Sequence, residues 1–534
     1  MDTAIISLVC IAVLIVGMVT VTFNAFQAAT SVADSLKEME EQASDIRLTQ
    51  ISASTWPAHT VCVIAYQGSG GNGFLRTADI ASGGQIADSV EDSLEFDSAD
   101  SYQPSIVHIS DDVYAIAYRN SASNGSLKTV RIAAGGQIAD ATIDTLVFEA
   151  SGCYEPCMLH VCGSTYAIAY RGPADLGYLK TVQIGDDGQI ADAVLDTLEF
   201  DGSQAYEPDL VYVSKDIFGI AYRGGADYGH VSTVGIAAGG EITDTVIDTL
   251  QFDSSRAYEP DIVRVAGDVY AIAYEGAGSG GYVTTVEITS DGAITDAAMD
   301  TLRYDPSRGS EPDMVPVAGG VYAIAHRGAD SDGFLTTVEI AASGQITDTV
   351  IDSLEFDTAD SYEPSMAALS ETVYAVAYRD SFGAGRLRTV EIAVNGQITD
   401  TVIDTLQFDS SACNRPCMVR VRDSIRLMVT NQGQTALARY SRWDVIAQYR
   451  SGSTSYLTYL EYTTDNPPAD NQWTVEGIYL PDETPEVYNL DILDPGEKMK
   501  LTIDLKPDIA AGTTGRITIS TPNGVTAQCL VKEY

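Results

Sequence analysis

Basic residues, histidine and tryptophan are all scarce in this 534-residue chain, and each shortage narrows what the protein can do. Thirty Lys and Arg stand against 75 Asp and Glu, a formal net charge of −45, which argues against nucleic acid as a partner held through phosphate contacts. The histidines are His59, His108, His160, His230 and His326, and they fall at no metal-ligand spacing. No nucleophile elbow or glycine-rich phosphate loop occurs either, so the chain is expected not to be an enzyme and to carry no cofactor. No Lys or Arg precedes Lys37, so the basic start of a secretory signal is missing.

What is present is a repeat. Pro104, Pro156, Pro208, Pro260, Pro312, Pro364 and Pro416 are each 52 residues apart. Each unit carries four strand-like runs separated by Gly, Asp and Ser, as in Asp261-Ile262-Val263, Val269 to Tyr274, Gly281 to Val286 and Thr295 to Tyr304. Four strands per unit read as one blade, and radial repetition of blades gives a β-propeller. The residues ending the second strands are Tyr66, Tyr118, Tyr170, Tyr222, Tyr274, His326 and Tyr378, which makes seven units. Unit one is short: Pro57 precedes Tyr66 by nine residues where later units have 14, and a surplus first strand, Pro416 to Val421, follows unit seven. The surplus can fill the deficit, which closes the ring and removes its open edges. Some hydrolytic propellers carry an Asp box ending in Trp. The repeats here have no Trp except Trp56 at their edge.

After the propeller the strands lose their period. Ser424-Ile425-Arg426-Leu427 matches Asp45-Ile46-Arg47-Leu48, which stands before the propeller, and the two are expected to be neighbouring strands of one small β-sandwich. The propeller would then be an insertion in their connection. Ahead of them, Ala4 to Phe23 holds 20 residues without a charge, enough to cross a bilayer as a helix. Val32, Leu36, Met39, Ala43 and Ile46 continue an apolar seam, so one helix of about 45 residues is expected, either a permanent anchor or the product of leader removal. The fold class expected is therefore mainly β with a long N-terminal helix: helix over 1–46, first sandwich strand over 47–54, seven-bladed propeller over 55–422 and sandwich over 423–534.

The apolar helix and the sandwich motifs Val429-Thr430-Asn431-Gln432-Gly433, Trp473-Thr474-Val475, Pro495-Gly496-Glu497 and Ser520-Thr521-Pro522-Asn523-Gly524 together resemble archaellins and the related archaellum stator-like proteins, over about residues 1 to 54 and 423 to 534. The resemblance implies a homo-oligomeric extracellular filament, with a membrane-embedded precursor and the assembly face Ile5, Leu8, Ile11, Leu14, Ile15, Val19, Phe23, Val32, Leu36 and Met39. The alternatives are a membrane-anchored adhesin or receptor whose propeller binds a glycan or protein, and a stator-like anchor.

Candidate sites in the repeats are few. Gln103, Glu155, Glu207, Glu259, Glu311, Glu363 and Arg415 form one ring on a blade face, and Gln67, Arg119, Arg171, Arg223, Glu275, Arg327 and Arg379 a second. The constant spacing of 16 reads as intrablade Glu–Arg pairs. Glu259 meets Glu275 instead, which with Asp261 offers a weak Ca²⁺ or cationic-ligand site, against the plainer reading of a self-neutralising rim. Tyr102, Tyr154, Tyr206, Tyr258 and Tyr362 could stack sugars or pack the turns. Cys153 with Cys157, and Cys413 with Cys417, are candidate local disulfides in an extracellular protein. Asn124-Gly125-Ser126 is an N-glycosylation sequon on a loop of unit two.

Overall fold

The computed structural model describes residues 46–50 and 59–532, apart from single positions at blade turns and short stretches of the C-terminal part, the longest being 463–471, 480–491 and 506–513. Two compact units result: Thr55–Asp423, and a second unit that joins Met1–Ser54 to Ser424–Glu533. The described residues contain strands and single 3₁₀ turns but no α-helix, so over the described residues the expected fold class is corrected to all-β. The expected helix over 1–46, with Ile5, Leu8, Ile11, Leu14, Ile15, Val19, Phe23, Val32, Leu36 and Met39, lies outside the described residues except for Ile46. That residue opens a β-strand, Ile46–Gln50. No described helix is long and apolar enough to cross a membrane.

Thr55–Asp423 forms seven blades of four antiparallel strands. In blade 3 these are, from the channel outward, Tyr154–Cys162, Thr165–Arg171, Gly177–Gln183 and Asp196–Asp201. Blades 4 and 5 repeat this arrangement. Blades 1 and 2 share the long strand Asp92–Ser110, outer in one and inner in the other, and blades 6 and 7 share Asp352–Ala368 in the same way. The ring closes in blade 1, where Asn414–Arg420 supplies the inner strand and pairs antiparallel with His59–Gln67, Val63 opposite Val419 and Ala65 opposite Cys417.

Packing between blades follows from strand alternation. The second strand, such as Val113 to Tyr118, is buried on both sides. One side carries small residues and the other large ones. Ala115 and Ala117 of blade 2 pack on Tyr166, Ile168 and Tyr170 of blade 3, and Ala167 and Ala169 on Phe218, Ile220 and Tyr222. Across the closure, Ala375 and Ala377 of blade 7 meet Ile64 and Tyr66 of blade 1. Burial of these side chains, at roughly 25 cal/mol per Å² of apolar surface, is the main force holding blade to blade.

Blade 6 departs from this packing at one point. Tyr304 replaces the phenylalanine of the other blades, and its hydroxyl is buried without a hydrogen-bond partner. Gly309 stands where other blades have Ala205, Ala257 or Cys153, and a Cβ there would lie 2.3 Å from the Gly281 Cα and 3.0 Å from the Tyr304 hydroxyl. The glycine makes room first for the Gly281 backbone and then for the phenol. Gly309→Ala is expected to destabilise the chain by about 1–3 kcal/mol through overpacking. Tyr304→Phe removes only the 3.0 Å contact and leaves the closer one to the Gly281 backbone, so it should recover a minor part of the loss in a urea-denaturation double-mutant cycle, and strict additivity would refute the coupling.

In the second unit, Ile46–Gln50 pairs antiparallel with Ile425–Asn431, Leu48 opposite Val429. A continuous run of eight strands folds around a core that includes Val429, Trp443, Val445, Leu460, Trp473, Met499, Leu501, Ile517 and Ile519. The chain thus leaves the sandwich after its first strand, builds the whole propeller, and re-enters at the paired strand.

Candidate functional site

At one end of the propeller channel lies a cavity of about 340 Å³, lined by the Gln/Glu/Arg ring, the repeated prolines and the residues just after them. Each ring residue adopts a left-handed backbone conformation: φ is 54° at Gln103 and Glu155, 52° at Glu207 and Glu259, 56° at Glu311, 53° at Glu363 and 46° at Arg415. The inner strand bulges there, and its register slips between Tyr206 and Asp209 in blade 4 and at the equivalent points elsewhere. A left-handed glutamate is uncommon. Here the bulge lets the carboxylate reach sideways to the next blade: the backbone N–H of Glu207 donates to Glu155 (3.0 Å), Glu259 to Glu207 (3.0 Å), Glu311 to Glu259 (2.9 Å), Glu363 to Glu311 (2.7 Å) and Arg415 to Glu363 (2.8 Å).

Behind this ring stands a rim of alternating tyrosine and arginine. Arg171 pairs with Glu155 at 3.2 Å, Arg223 with Glu207 at 3.2 Å, Arg327 with Glu311 at 3.1 Å and Arg379 with Glu363 at 3.4 Å. The guanidinium of Arg171 lies 4.4 Å from the ring centre of Tyr154 and 4.8 Å from that of Tyr206, and Arg223 lies 4.2 Å from both Tyr206 and Tyr258. The tyrosines therefore stack arginines between blades.

A deeper ring was not singled out from the sequence: Ser105, Cys157, Asp209, Asp261, Asp313, Ser365 and Cys417. Its side chains also bridge blades. Met158 N–H donates to Ser105 (3.2 Å), Ile262 to Asp209 (2.9 Å), Met314 to Asp261 (2.5 Å), Met366 to Asp313 (2.7 Å) and Met418 to Ser365 (3.1 Å). The Cys157 thiol donates to Asp209 at 3.2 Å. Burial, with Asp209 and Asp313 close by, pushes the Asp261 carboxyl well above its ordinary range, and burial pushes Asp313 up to about 6. The signal that could have exposed this ring was its constant place, one residue after the periodic proline.

Two expectations are corrected by this geometry. All seven described cysteines are free. The left-handed turn at Glu155 separates Cys153, packed in the blade 2–3 core, from Cys157 in the channel, and Cys413 and Cys417 are separated in the same way by Arg415. The expected local disulfides are not formed. Nor do Glu259, Asp261 and Glu275 converge on a cation: among the described residues no group of three or more His, Cys, Asp or Glu is placed to hold a metal ion. Glu275 is buried and ion-paired with Arg256, and it accepts a hydrogen bond from Ser310. Glu259 keeps its backbone bond and, among the described residues, has only Arg415, 3.9 Å away, as an ion-pair partner. Burial, then repulsion from Glu311 and Glu207, pushes its carboxyl up to about 8. Asn124 sits half-buried on the loop after the second strand of blade 2, its backbone N–H donating to Asn120 at 3.0 Å.

The fold and its mouth define a seven-bladed propeller carried in a sandwich. No protein-family model matches the chain, and no curated protein does. Solved structures similar to it include the archaellum periplasmic stator protein complex FlaF and FlaG from Sulfolobus acidocaldarius, 22% identical over 20% of this chain and 76% of that chain, with a TM-score of 0.15. A mutant of AofleA from Arthrobotrys oligospora is 11% identical over 60% of this chain and 90% of its own, TM-score 0.36. A Synechocystis apocarotenoid oxygenase is 10% identical over 71% of this chain and 95% of its own, TM-score 0.42. The archaellum likeness is thus weak, local and to stator proteins. The described residues are all β, so the expected archaellin and type IV pilin resemblance is corrected.

Proposed function

We propose that the chain is a non-enzymatic surface-binding protein of the receptor or adhesin class, acting outside the cytoplasm, in which the sandwich is the mount and the propeller mouth takes the ligand. One observation carries this reading: the sevenfold rings are broken where a ligand would meet them. Arg415 and Gln103 interrupt the ring of glutamates on one side of the cavity, and Glu259 lacks an arginine of its own on the other. Scaffold positions repeat, whereas a site that recognises an asymmetric ligand has to break the repeat. The lining offers charge and hydrogen bonds, and its one thiol–carboxylate contact among the described residues, Cys157 with Asp209, is held in the protonated thiol form because burial pushes the Cys157 thiol well above its ordinary range, which favours binding over chemistry.

Immobilised full-length chain is expected to retain a member of a defined panel of surface glycans and peptides. Arg415→Ala should weaken that retention by about tenfold or more, the scale of one charge-assisted hydrogen bond. Retention of nothing, or equal retention by the variant, would remove the reading.

A further inference from the structure

Blade 2 carries an arginine without either of the acidic partners its counterparts have. In blade 3, Arg171 is held by two carboxylates: Glu155 accepts from Nε at 3.2 Å and Nη2 at 3.3 Å, and Asp175 accepts from Nη1 at 2.7 Å. Asp175 also accepts a hydrogen bond from the Tyr206 hydroxyl of the next blade, so its carboxylate bridges arginine and tyrosine. Blade 4 repeats the bridge: Asp227 accepts from Arg223 at 2.9 Å and from the Tyr258 hydroxyl at 2.9 Å. In blade 2 the residues at the two acidic positions are Gln103 and Ser123, both uncharged, and the next blade's tyrosine is Tyr154. Gln103 turns to Glu155, accepting its backbone N–H at 3.1 Å and donating to its carboxylate at 3.5 Å. Among the described residues Arg119 is left with no ion pair or hydrogen bond, its Nε is buried without an acceptor, and no hydrogen bond reaches the Tyr154 hydroxyl.

The guanidinium is nevertheless positioned like its paired counterparts, 3.9 Å from the ring centre of Tyr102 and 4.8 Å from that of Tyr154. Stacking fixes its orientation before any anion arrives, which lowers the ordering cost of binding. Among the described residues no other blade combines these features. Blades 1 and 5 have Gln67 and Glu275 at the arginine position. Blades 6 and 7 have Ser331 and Gly383 where blade 3 has Asp175, but Arg327 and Arg379 keep a ring glutamate at 3.1 and 3.4 Å. The tyrosine beyond blade 6, Tyr362, gives its hydroxyl to Asp360 at 3.0 Å, and beyond blade 7 the position is Asn414. Nor does the acidity of the chain fill the gap. Glu149 and Glu155, which with Arg119 surround the Cys153 thiol, are already ion-paired, with Lys180 at 2.9 Å and Arg171 at 3.2 Å.

We infer that the rim between blades 2 and 3 is a subsite for a carboxylate group of the ligand, which accepts from Arg119 Nη1 and the Tyr154 hydroxyl as Asp175 and Asp227 do from the corresponding pairs in blades 3 and 4. The protein shows the occupied state twice, and both occupants are held ionised. The bond from Arg171 brings the Asp175 carboxyl below its ordinary range, and despite burial the bonds from Arg223 and Tyr258 bring Asp227 below it as well. An acidic side chain of a protein partner and a small organic acid present the same group, and suitable probes tell them apart. The inference deepens the proposed binding role and rests on it, but it concerns the rim of blade 2 rather than the cavity at Arg415 and Glu259.

Saturation-transfer NMR on the full-length chain tests it with N-acetyl-aspartate methylamide, acetate and sulfate, and with N-acetyl-asparagine methylamide as the neutral control. The aspartate probe is expected to bind about tenfold or more tightly than the asparagine probe, the scale of a hydrogen bond to a charged group. Tighter binding of the aspartate probe than of acetate assigns the carboxylate to a protein side chain, and equal binding assigns it to a small acid. Ser123→Asp supplies the missing carboxylate internally; Ser123 already has φ 64°, matching Asp175 at 65° and Asp227 at 64°, so the variant should fold and lose about tenfold or more in affinity. Arg119→Gln should lose as much, and Tyr154→Phe, which keeps the aromatic stack, about threefold. Absence of carboxylate binding, equal binding of the asparagine probe, tighter binding of sulfate, or undiminished binding by Ser123→Asp would each overturn the assignment. A carboxylate failure alongside retention of a panel ligand that depends on Arg415 would overturn this subsite alone.

Discussion

Asp409→Ala is expected to cost the propeller about 3–5 kcal/mol, the range for removing one partner of a buried, hydrogen-bonded charge pair. The carboxylate accepts from the Tyr66 hydroxyl at 2.6 Å, from Ser411 N–H at 2.8 Å and from Arg76 at 3.4 Å, while Arg76 Nε also donates to the Tyr66 oxygen at 2.8 Å. The other junctions carry the same kind of contact: Tyr118 with Asp97, Tyr222 with Asp201 at 2.8 Å, Tyr274 with Asp253 at 2.9 Å and Tyr378 with Asp357, with Glu149 as the acceptor for Tyr170 at 2.7 Å and His326 in the tyrosine's place beside Asp305 at 3.2 Å. Only at the closure do the partners stand 343 residues apart in sequence. Truncating Asp409 strands a buried phenol and leaves the Arg76 charge without its counter-ion, at the one junction where chain connectivity does not hold the blades together. Asp253→Ala removes a tyrosine bond of the same kind at an internal junction, where no arginine joins the pair, and should cost clearly less. Urea midpoints of the two variants decide the matter; equal losses would show that closure has no special place in stability.

Part of this arrangement is legible in the chain. The 52-residue period, the short first unit ahead of Tyr66 and the surplus strand after Pro416 follow from strand alternation and from the need of a ring to have no edge. Other features have no local signature. Nothing in Glu-Pro announces a left-handed residue, yet that conformation at Glu155 and Arg415 sends the two cysteines on either side to different environments and defeats the disulfide reading. Glu275 has no arginine 16 residues from a ring glutamate, and its counter-ion, Arg256, comes instead from the turn before the blade's inner strand.

An acidic excess of this size suits a solvated surface that resists edge pairing. Periodicity separates out another role: Asp92, Asp144, Asp196, Asp248, Asp300, Asp352 and Asp404 each accept the backbone N–H of an isoleucine in a neighbouring blade, at 2.8 to 2.9 Å. Much of the repeated negative charge is thus a set of blade joints. Each joint costs desolvation, and the hydrogen bonds it makes to backbone N–H groups and hydroxyls offset that cost.

The carboxylates bonded to the second-strand tyrosines and histidine, Asp97, Glu149, Asp305 and Asp409, and the channel carboxyls pull in opposite directions as pH changes, which gives a second large effect. Glu259, pushed to about 8 from an ordinary 4.5, and Asp313, pushed to about 6 from 3.8, bind protons more tightly in the fold than in the unfolded chain. Their contribution is complete below the unfolded values and is lost as pH rises through about 6 and then about 8. Glu149, brought down to about 2 despite its burial by bonds from Ser151, Tyr170 and Lys180, behaves in the opposite sense: its contribution is present above 4.5 and is lost as pH falls toward 2. Hydrogen bonds also lower Asp97, Asp305 and Asp409. The propeller is therefore expected to be most stable in mildly acidic solution, near pH 5, and to lose several degrees of thermal midpoint by pH 8.5. Glu259 faces Glu207, Glu311, Glu275 and Arg415, and the three carboxylates outweigh the one guanidinium. Glu259→Gln keeps an acceptor for the Glu311 N–H while removing the charge. It should match the parent chain at pH 5 and exceed it at pH 8.5, measured by calorimetry, with tyrosine near-ultraviolet circular dichroism following the propeller and fluorescence of the buried Trp443 and Trp473 following the sandwich. A variant less stable than the parent at pH 8.5 would mean that the Glu259 charge supports the ring, and that Arg415 rather than a proton neutralises it.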